Sequence, residues 1–212
     1  MWGVPSPELF ETLPRFNIAP SQKVWAITET RNGRELALFD WGLIPSWSKE
    51  PAGSINARAE TLEEKPSFNE SFQRRRCLIP ADGFYEWEKR GKDRQPYYFQ
   101  LKDESPFAFA GIWDEWRGNG AAILSCAIIT TTPNELLRSI HNRMPVILQP
   151  ESHDAWLNSR TSTAELQRLL NPFPAEEMKS HPVSSDVNHP EIDSEHLVQR
   201  VDPIPEAQAS LF

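Results

Sequence analysis

The sequence predicts one mixed α/β domain, of the α+β kind, built around a curved, partly barrel-like β-sheet with a few short helices. Nineteen prolines interrupt the 212 residues, and this density of helix breakers disfavours long helices. Short β-rich runs recur along most of the chain, whereas stretches with helical periodicity are few and short. We therefore expect strands to dominate the fold.

Six segments are predicted as strands, because each combines apolar residues with the short length that is typical of strands. They are residues 24–28, 35–39, 97–101, 107–112, 122–130 and 146–148. Asn56 and Arg58 are two residues apart, so their side chains share one face if this segment is also a strand.

Three short helices are predicted between the strands. Residues 133–139 form a turn-rich helix in which Pro133 suits the first turn. Residues 151–158 and 163–170 form two more, the second with Ser162 or Thr163 as its N-cap. From about Gln199 the chain is acidic and punctuated by proline. We expect a folded domain over residues 1–198 and a flexible acidic tail over residues 199–212.

The composition favours a soluble, cytoplasmic protein. The hydrophobic content is 39%, the charged content is 25%, and no apolar run approaches the length of a membrane span. The first residues lack the basic and apolar segments of a secretory signal. Cys77 and Cys126 lie in apolar runs and are expected to be buried free thiols. We expect no cofactor and no metal, since ligand spacing is poor around the best-placed histidine, His141.

Most of the acidic excess lies near the end of the chain. The net charge is −8, but eight acids and only two bases follow from Glu176 onward, so residues 1–175 are nearly neutral. Basic clusters lie at residues 74–76 and 89–94. A solvated surface with an acidic tail is the simplest interpretation, and this charge neither excludes nor predicts a nucleic-acid partner.

Four segments combine turn residues with reactive or stacking side chains. They are residues 15–20 (RFNIAP), 41–47 (WGLIPSW) with 56–61 (NARAET), 82–87 (DGFYEW), and 140–145 (IHNRMP). In this order, followed by HPVS at 181–184 and VN at 187–188, they closely resemble the SOS-response-associated peptidase family. The resemblance extends from about Pro14 to Asn188. Family members in bacteria and animals shield abasic sites in single-stranded DNA, so the resemblance implies abasic single-stranded DNA as the partner.

The resemblance also implies a chemistry. An abasic deoxyribose is partly an open-chain aldehyde, and an amino-terminal cysteine can capture it, first as an imine and then as a thiazolidine. Acid/base groups must open the sugar and move protons, and a neutral donor must hold the hydroxyls. Glu86, His141 and Asn56 stand at the matching positions, and His141 would assist ring opening and reversal of the crosslink. The implied function is covalent capture of abasic sites, with lyase activity and self-processing of the initiator methionine.

Two of these residues also have a simpler interpretation. Phe84, Tyr85 and Trp87 flank Glu86, and such an apolar wall can raise the pKa of a carboxyl, but a solvent-facing strand glutamate shows the same pattern. A lone histidine such as His141 more often serves as a structural hydrogen-bonding group than as a catalyst. The family resemblance favours the catalytic interpretation of both.

Two arginines follow the predicted catalytic residues at a spacing of two. Arg58 follows Asn56 and Arg143 follows His141, so each guanidinium is placed to clamp a phosphate beside the sugar. Arginines in surface ion pairs are the alternative for each of them.

The remaining predicted contacts to DNA come from the loops. Trp47 is one of eight tryptophans and lies in a proline-bracketed loop, where it is predicted to stack on an unpaired base; core packing is the alternative. By resemblance, Asn17 and Pro20 line the DNA groove with Trp47, and Thr130 lies near the reactive centre.

The amino terminus departs from the family pattern. Family members begin Met-Cys-Gly-Arg, whereas this sequence begins Met1-Trp2-Gly3-Val4. We expect the true start to lie upstream; the alternative is a degenerate member that binds DNA without crosslinking. As printed, the chain should form no thiazolidine.

The last five residues resemble the Gln-x-x-Leu-Phe peptide with which bacterial replication proteins bind the DNA sliding clamp. Gln208 would donate and accept hydrogen bonds, and Leu211 and Phe212 would fill an apolar pocket of the clamp. We hypothesise that this peptide recruits the protein to replication forks; a frayed terminus without function is the alternative.

Three functions therefore remain open: covalent capture of abasic sites, noncatalytic binding of single-stranded DNA, and an unrelated acid/base hydrolase that uses Glu86 and His141. The first depends on one geometric expectation. Asn56, Glu86 and His141, from three distant stretches, must converge on a single pocket beside a channel wide enough for one unpaired strand.

Overall fold

Strands dominate this computed structural model, which describes residues 2–3, 14–118 and 120–205. The strands are β1 Lys23–Thr30, β2 Gly33–Trp41, β3 Asn56–Arg58, β4 Arg76–Ala81, β5 Phe84–Arg90, β6 Asp93–Leu101, β7 Phe107–Gly118, β8 Ala121–Thr131, β9 Met144–Pro145, β10 Ile147–Leu148 and β11 Met178–Pro182. The helices are α1 Pro66–Arg74, α2 His153–Leu157 and α3 Thr163–Arg168. No helix of the described ranges has the length and apolar character needed to cross a membrane.

The larger sheet closes on itself. β1 pairs with β2 and with β4, β4 pairs with β7, and β7 pairs with β8, all antiparallel. β8 then returns to β2 in a short parallel pairing, which completes a ring of five strands. The predicted partly barrel-like sheet is therefore confirmed.

β8 organises the site because one of its edges serves two partners in succession. Ser125 and Cys126 pair with the end of β2, and the next residues, Ile128 to Thr130, pair in parallel with β3. This register sets Arg58 directly opposite Thr130. On the other edge of β8, β9 pairs at Thr130 and Thr131, where β7 has already left the strand.

A second, three-stranded antiparallel sheet consists of β11, β6 and β5 in that order. Aromatic side chains attach it to the barrel. Phe84 of β5 stacks on Phe99 of β6, with ring centroids 5.2 Å apart, and meets Phe109 of β7 edge-on at 5.9 Å. These contacts hold β5 against the barrel, and they fix the position from which Glu86 projects.

The core consists of two hydrophobic clusters. The first joins one face of the barrel strands to the apolar faces of the helices, with Phe72 of α1 and Trp156 of α2 both fully buried. The Trp156 indole also donates to the carbonyl of Cys77 on β4 at 3.0 Å, so α2 is joined to the barrel by a hydrogen bond as well as by packing. The second cluster lies between the barrel and the smaller sheet, around Phe99, Phe109 and Met178.

Each of the six predicted strands is confirmed, most with longer ends. Of residues 146–148, only Ile147 and Leu148 form a strand, β10; Val146 lies between β9 and β10. Residues 151–158 contain a 3-10 turn followed by α2. Residues 163–170 contain α3, and the predicted cap Ser162 accepts from the Glu165 amide at 3.3 Å.

The prediction of a helix over residues 133–139 is wrong, because this segment forms successive turns. Backbone bonds from Arg138 to Asn134 and from His141 to Leu137 are its helix-like features. The Asn134 side chain accepts from the Leu137 amide and donates to the carbonyl of Phe173, so local and long-range side-chain bonds replace a regular helix.

Residues 201–204, at the start of the predicted tail, lie along the smaller sheet. The Val201 amide donates to the carbonyl of Pro182 at 3.0 Å, and the Ile204 amide donates to the side chain of Gln95 at 2.7 Å. Gln208, Leu211 and Phe212 lie outside the described residues.

Candidate functional site

One cavity of about 320 Å³ contains the three predicted catalytic side chains, Asn56, Glu86 and His141. The rest of its lining is Ser54, Arg58, Lys65, Phe68, Thr130, Arg143 and Met144. Three segments that are far apart in the sequence thus converge on a single pocket, as the argument from the motifs requires. The predicted DNA-binding residues Arg58, Thr130 and Arg143 lie in the same lining.

β3 presents Asn56 and Arg58 to the cavity through strand alternation. Ala57, between them, is fully buried in the core, whereas Asn56 and Arg58 are exposed. The two polar side chains therefore share the face that was predicted from their spacing.

β5 supplies the carboxyl group of the site. Glu86 points into the cavity, while its neighbours Tyr85 and Trp87 bond elsewhere: the Tyr85 hydroxyl donates to the carbonyl of Phe16 at 2.7 Å, and the Trp87 indole donates to Asn188 at 2.8 Å. The Glu86 side chain is only 20% exposed. Burial raises the pKa of this carboxyl, and nearby His141 offsets the rise only in part.

His141 is held at one ring nitrogen. Its Nδ1 lies 3.2 Å from Oε1 of Glu86 and 3.1 Å from the carbonyl oxygen of Arg143. The carbonyl is only an acceptor, so Nδ1 carries the hydrogen in the neutral ring. Nε2 is then the ring nitrogen that can accept a proton, and 44% exposure of the side chain gives it access to a ligand.

Arg143 is bound within the protein. Its two terminal nitrogens form a bidentate pair with Glu60 at 2.7 and 2.9 Å, and one of them also donates to the carbonyl of Thr130. The guanidinium lowers the pKa of Glu60, chiefly through the hydrogen bond. This pairing restrains Arg143, whose backbone carbonyl orients His141, and it is the ion pair that was the alternative interpretation of this arginine.

The sequence reasoning did not identify Glu60 or Lys65. The spacing Asn56-x-Arg58-x-Glu60 was the available signal for Glu60, because it continues the alternation of β3, although Glu60 itself lies in the 3-10 turn Ala59–Thr61 that follows the strand. Lys65 gave no comparable signal, since it precedes a helix that the periodicity did not predict. In the described part of the chain, Arg58 and Lys65 have no carboxylate within ion-pair distance.

The other predicted DNA contacts lie outside the cavity lining. Trp47 is 61% exposed, and its loop is anchored on both sides: the Ser46 amide donates to Asp114 at 2.8 Å, and the Trp116 indole donates to the carbonyl of Ser48 at 2.8 Å. Pro20 is exposed in the turn before β1.

Asn17, by contrast, is 6% exposed. Its amide nitrogen donates to the carbonyls of Val187, His189 and Ile192 at 3.1–3.2 Å. The side chain therefore joins the segment before β1 to the segment after β11.

The basic clusters at residues 74–76 and 89–94 differ in how far their side chains are free to bind a ligand. In the first, Arg76 is buried and donates to main-chain carbonyls, and Arg75 pairs with Glu70 and Asp114. In the second, Lys92 and Arg94 line a larger cleft of about 680 Å³, together with Trp87, Asp93, Ser185, Asn188 and Ile204. This cleft contains none of the predicted catalytic residues.

The thiols and residues 2–3 do not contribute to the cavity lining. Cys77 and Cys126 are buried, and burial raises the pKa of both, that of Cys126 to about 12. Trp2 stacks on His153, with ring centroids 5.4 Å apart. Within the described ranges, no group of three or more His, Cys, Asp or Glu side chains is arranged to hold a metal ion.

Comparison with known proteins gives a consistent result. A family model described as SOS response associated peptidase (SRAP) matches residues 4–190. The chain is 45% identical over 192 residues to the abasic site processing protein YoqW of Bacillus subtilis, covering 88% of this chain and 86% of that protein. It is 31% identical to YedK of Escherichia coli, also named an abasic site processing protein, covering 90% and 86%. A crystal structure of a protein from Bacteroides thetaiotaomicron superimposes with a TM-score of 0.79 at 36% identity, covering 85% and 82%.

Proposed function

The chain belongs to the SOS response associated peptidase family, and from this premise we propose that it processes abasic sites, binding the exposed sugar of single-stranded DNA in the 320 Å³ cavity. One observation carries the proposal: a carboxamide, a carboxyl with a raised pKa and an imidazole with an accessible Nε2 line the same pocket. These are the groups that sugar ring opening requires. The names of the relatives specify the kind of DNA lesion.

Each polar group has a role that follows from its chemistry. Because the pKa of Glu86 is raised, its carboxyl retains a proton to higher pH than an exposed glutamate does, and it can protonate the ring oxygen as the sugar opens. Nε2 of His141 can accept the proton that the anomeric hydroxyl loses. Asn56 is placed to hold the sugar hydroxyls.

Recognition of the strand divides between two kinds of contact. Arg58 is exposed in the cavity lining and supplies a cation for the phosphate beside the lesion. Trp47 offers an exposed indole on which an adjacent base can stack. Arg143 already has Glu60 as its partner, so we assign it the support of His141 rather than the clamping of a phosphate.

A second candidate function is noncovalent binding of the same DNA. In the family, an amino-terminal cysteine is the expected nucleophile for a thiazolidine crosslink. Trp2 stacks on His153 here, and residues 2–3 are not part of the cavity lining. The two functions share the pocket and differ only in whether a denaturation-resistant adduct forms.

Fluorescence anisotropy with two labelled single-stranded oligonucleotides, identical except for one abasic site, tests the shared proposal. We expect tighter binding of the abasic strand. Asn56→Ala should reduce this preference about fivefold, equivalent to one hydrogen bond of about 1 kcal/mol. Asn32→Ala, in the exposed turn between β1 and β2, is the matched control and should change nothing. Equal affinity of the native chain for the two strands would refute the proposal.

Arg58→Ala provides a second, independent readout. Loss of a phosphate contact should weaken binding of both strands and reduce its dependence on salt by about one counterion. An unchanged salt dependence would remove Arg58 from the DNA interface.

A further inference from the structure

The cavity contains a primary amine for which the proposed function has no use. Lys65 lies in the same lining as Glu86, His141 and Asn56. It is the only lysine in that lining among the described residues. An amine beside acid/base groups is the arrangement that imine chemistry with a carbonyl compound requires.

The backbone of Lys65 is anchored, although its side chain is exposed. Its amide donates to the carbonyl of Thr61 at 3.1 Å, and its own carbonyl accepts from the amides of Phe68 and Asn69, both at 2.9 Å, as α1 begins. Pro66 occupies the first turn of that helix. Phe68, one turn further on, also lines the cavity. A flexible four-carbon stem therefore extends into the pocket from a fixed base.

The charges around this amine leave it available. Arg58 and Arg143 line the same cavity, and the carboxylate nearest to Arg143, Glu60, is already paired with it. In the described chain, no carboxylate lies within ion-pair distance of the Lys65 amine. Neither thiol of the chain can compete as a nucleophile, because Cys77 and Cys126 are buried.

We propose that Nζ of Lys65 condenses with the aldehyde of an abasic site held in this cavity and forms an imine. The inference rests on the proposed function, since the aldehyde must first bind in the pocket. It does not depend on the residue at position 2. Attachment of the chain to an abasic site is then a property of the folded pocket itself.

The condensation balances without an oxidant or reductant. The Lys65 ammonium first gives a proton to the Glu86 carboxylate, which lost its own proton to the ring oxygen when the sugar opened. The nitrogen lone pair then attacks the aldehyde carbon, and the carbonyl oxygen takes up a proton to give a carbinolamine. The nitrogen loses a second proton, and the hydroxyl leaves as water after protonation by the Glu86 carboxyl. Amine and aldehyde become imine and water.

Reductive trapping tests the proposal on the full chain. The protein is incubated with a single-stranded oligonucleotide that carries one natural abasic site, in the presence of sodium cyanoborohydride, and the products are separated on a denaturing gel. We expect a protein–DNA adduct with the native sequence and loss of that adduct with Lys65→Arg, which keeps the charge but lacks a nucleophilic amine. Lys102→Arg, at an exposed lysine outside the cavity lining, is the matched control and should retain the adduct.

Two further measurements separate the possible failures. Anisotropy binding of the abasic strand to each variant shows whether the pocket still takes the DNA, and mass spectrometry of the digested native adduct locates the modified residue without relying on a variant. Modification at Lys65 supports the proposal. Binding without an adduct, or modification at the amino terminus or another lysine, overturns the proposal but leaves the proposed function intact. Absence of any preference for the abasic strand overturns both.

Discussion

Replacement of Asn17 by alanine distinguishes a structural role of this residue from the DNA contact that was predicted for it. The two amide hydrogens of the side chain are shared among three carbonyl oxygens at 3.1–3.2 Å, in surroundings where the residue is 6% exposed. Asn17→Ala removes about two hydrogen bonds worth about 1 kcal/mol each and takes the Asn17 donor away from the carbonyl of the buried residue Val187, so the free energy of unfolding should fall by about 2–4 kcal/mol. For a protein of this size the melting temperature should fall by about 5–15 °C.

Urea denaturation followed by tryptophan fluorescence measures this loss. Asn32→Ala, at an exposed turn, is the control and should stay within about 0.5 kcal/mol of the native sequence. Asn17→Asp should lower the free energy of unfolding more than Asn17→Ala does, because it places a negatively charged acceptor against three carbonyl oxygens. Unchanged stability of Asn17→Ala together with weaker binding of abasic DNA would refute the structural reasoning and return Asn17 to the DNA groove.

Three further predictions follow from the site and the tail. Burial raises the pKa of Glu86, so the stability that its protonated form contributes is complete below the ordinary carboxyl pKa and is lost as the pH rises through the raised value. Glu86→Gln should therefore unfold at higher urea concentration than the native sequence at pH 7, with the gain vanishing near pH 4; no gain at pH 7 would contradict the argument. The pKa of Glu60 is lowered by Arg143, so its contribution is present at neutral pH and is lost as the pH falls through the lowered value. Glu60→Gln should lower the free energy of unfolding by about 1–2 kcal/mol at pH 7, a figure that is discounted for the partial exposure of the carboxylate. A loss of stability that does not become smaller toward acidic pH would count against the pairing. Deletion of residues 208–212 should abolish a pull-down with the bacterial sliding clamp while leaving DNA affinity unchanged, and clamp binding by the shortened chain would dispose of the recruitment hypothesis.

Much of the site was accessible from the sequence, because the motifs that carry it are local. The spacing of Asn56 and Arg58 predicts a shared face on a strand, and β3 has that geometry. The aromatic neighbours of Glu86 predict a raised pKa for its carboxyl, and burial has that effect. The family resemblance supplied the grouping of these residues with His141, which spacing alone does not provide.

The elements that the sequence did not predict depend on contacts between distant residues. α1 is a short segment whose two phenylalanines, Phe68 and Phe72, pack into the barrel core, and this packing rather than a strong local helix signal supports the helix. Residues 133–139 carry a plausible helical pattern, but the bond from Asn134 to Phe173 favours turns instead. Tertiary contacts override local preference in both segments.

The fold class and the family of the chain follow from the sequence alone, because proline density, short apolar runs and ordered motifs are properties of neighbouring residues, although β4, β5, β11 and α1 were not among the predicted elements. The polar groups that are available in the site depend instead on the fold. Arg143 is committed to Glu60 and Asn17 to three carbonyls, while Arg58 and Lys65 remain open to a ligand. The physical reason is that the partners of a side chain come from strands brought together by the closed barrel, such as β3 beside β8, and no local pattern records which partners those are.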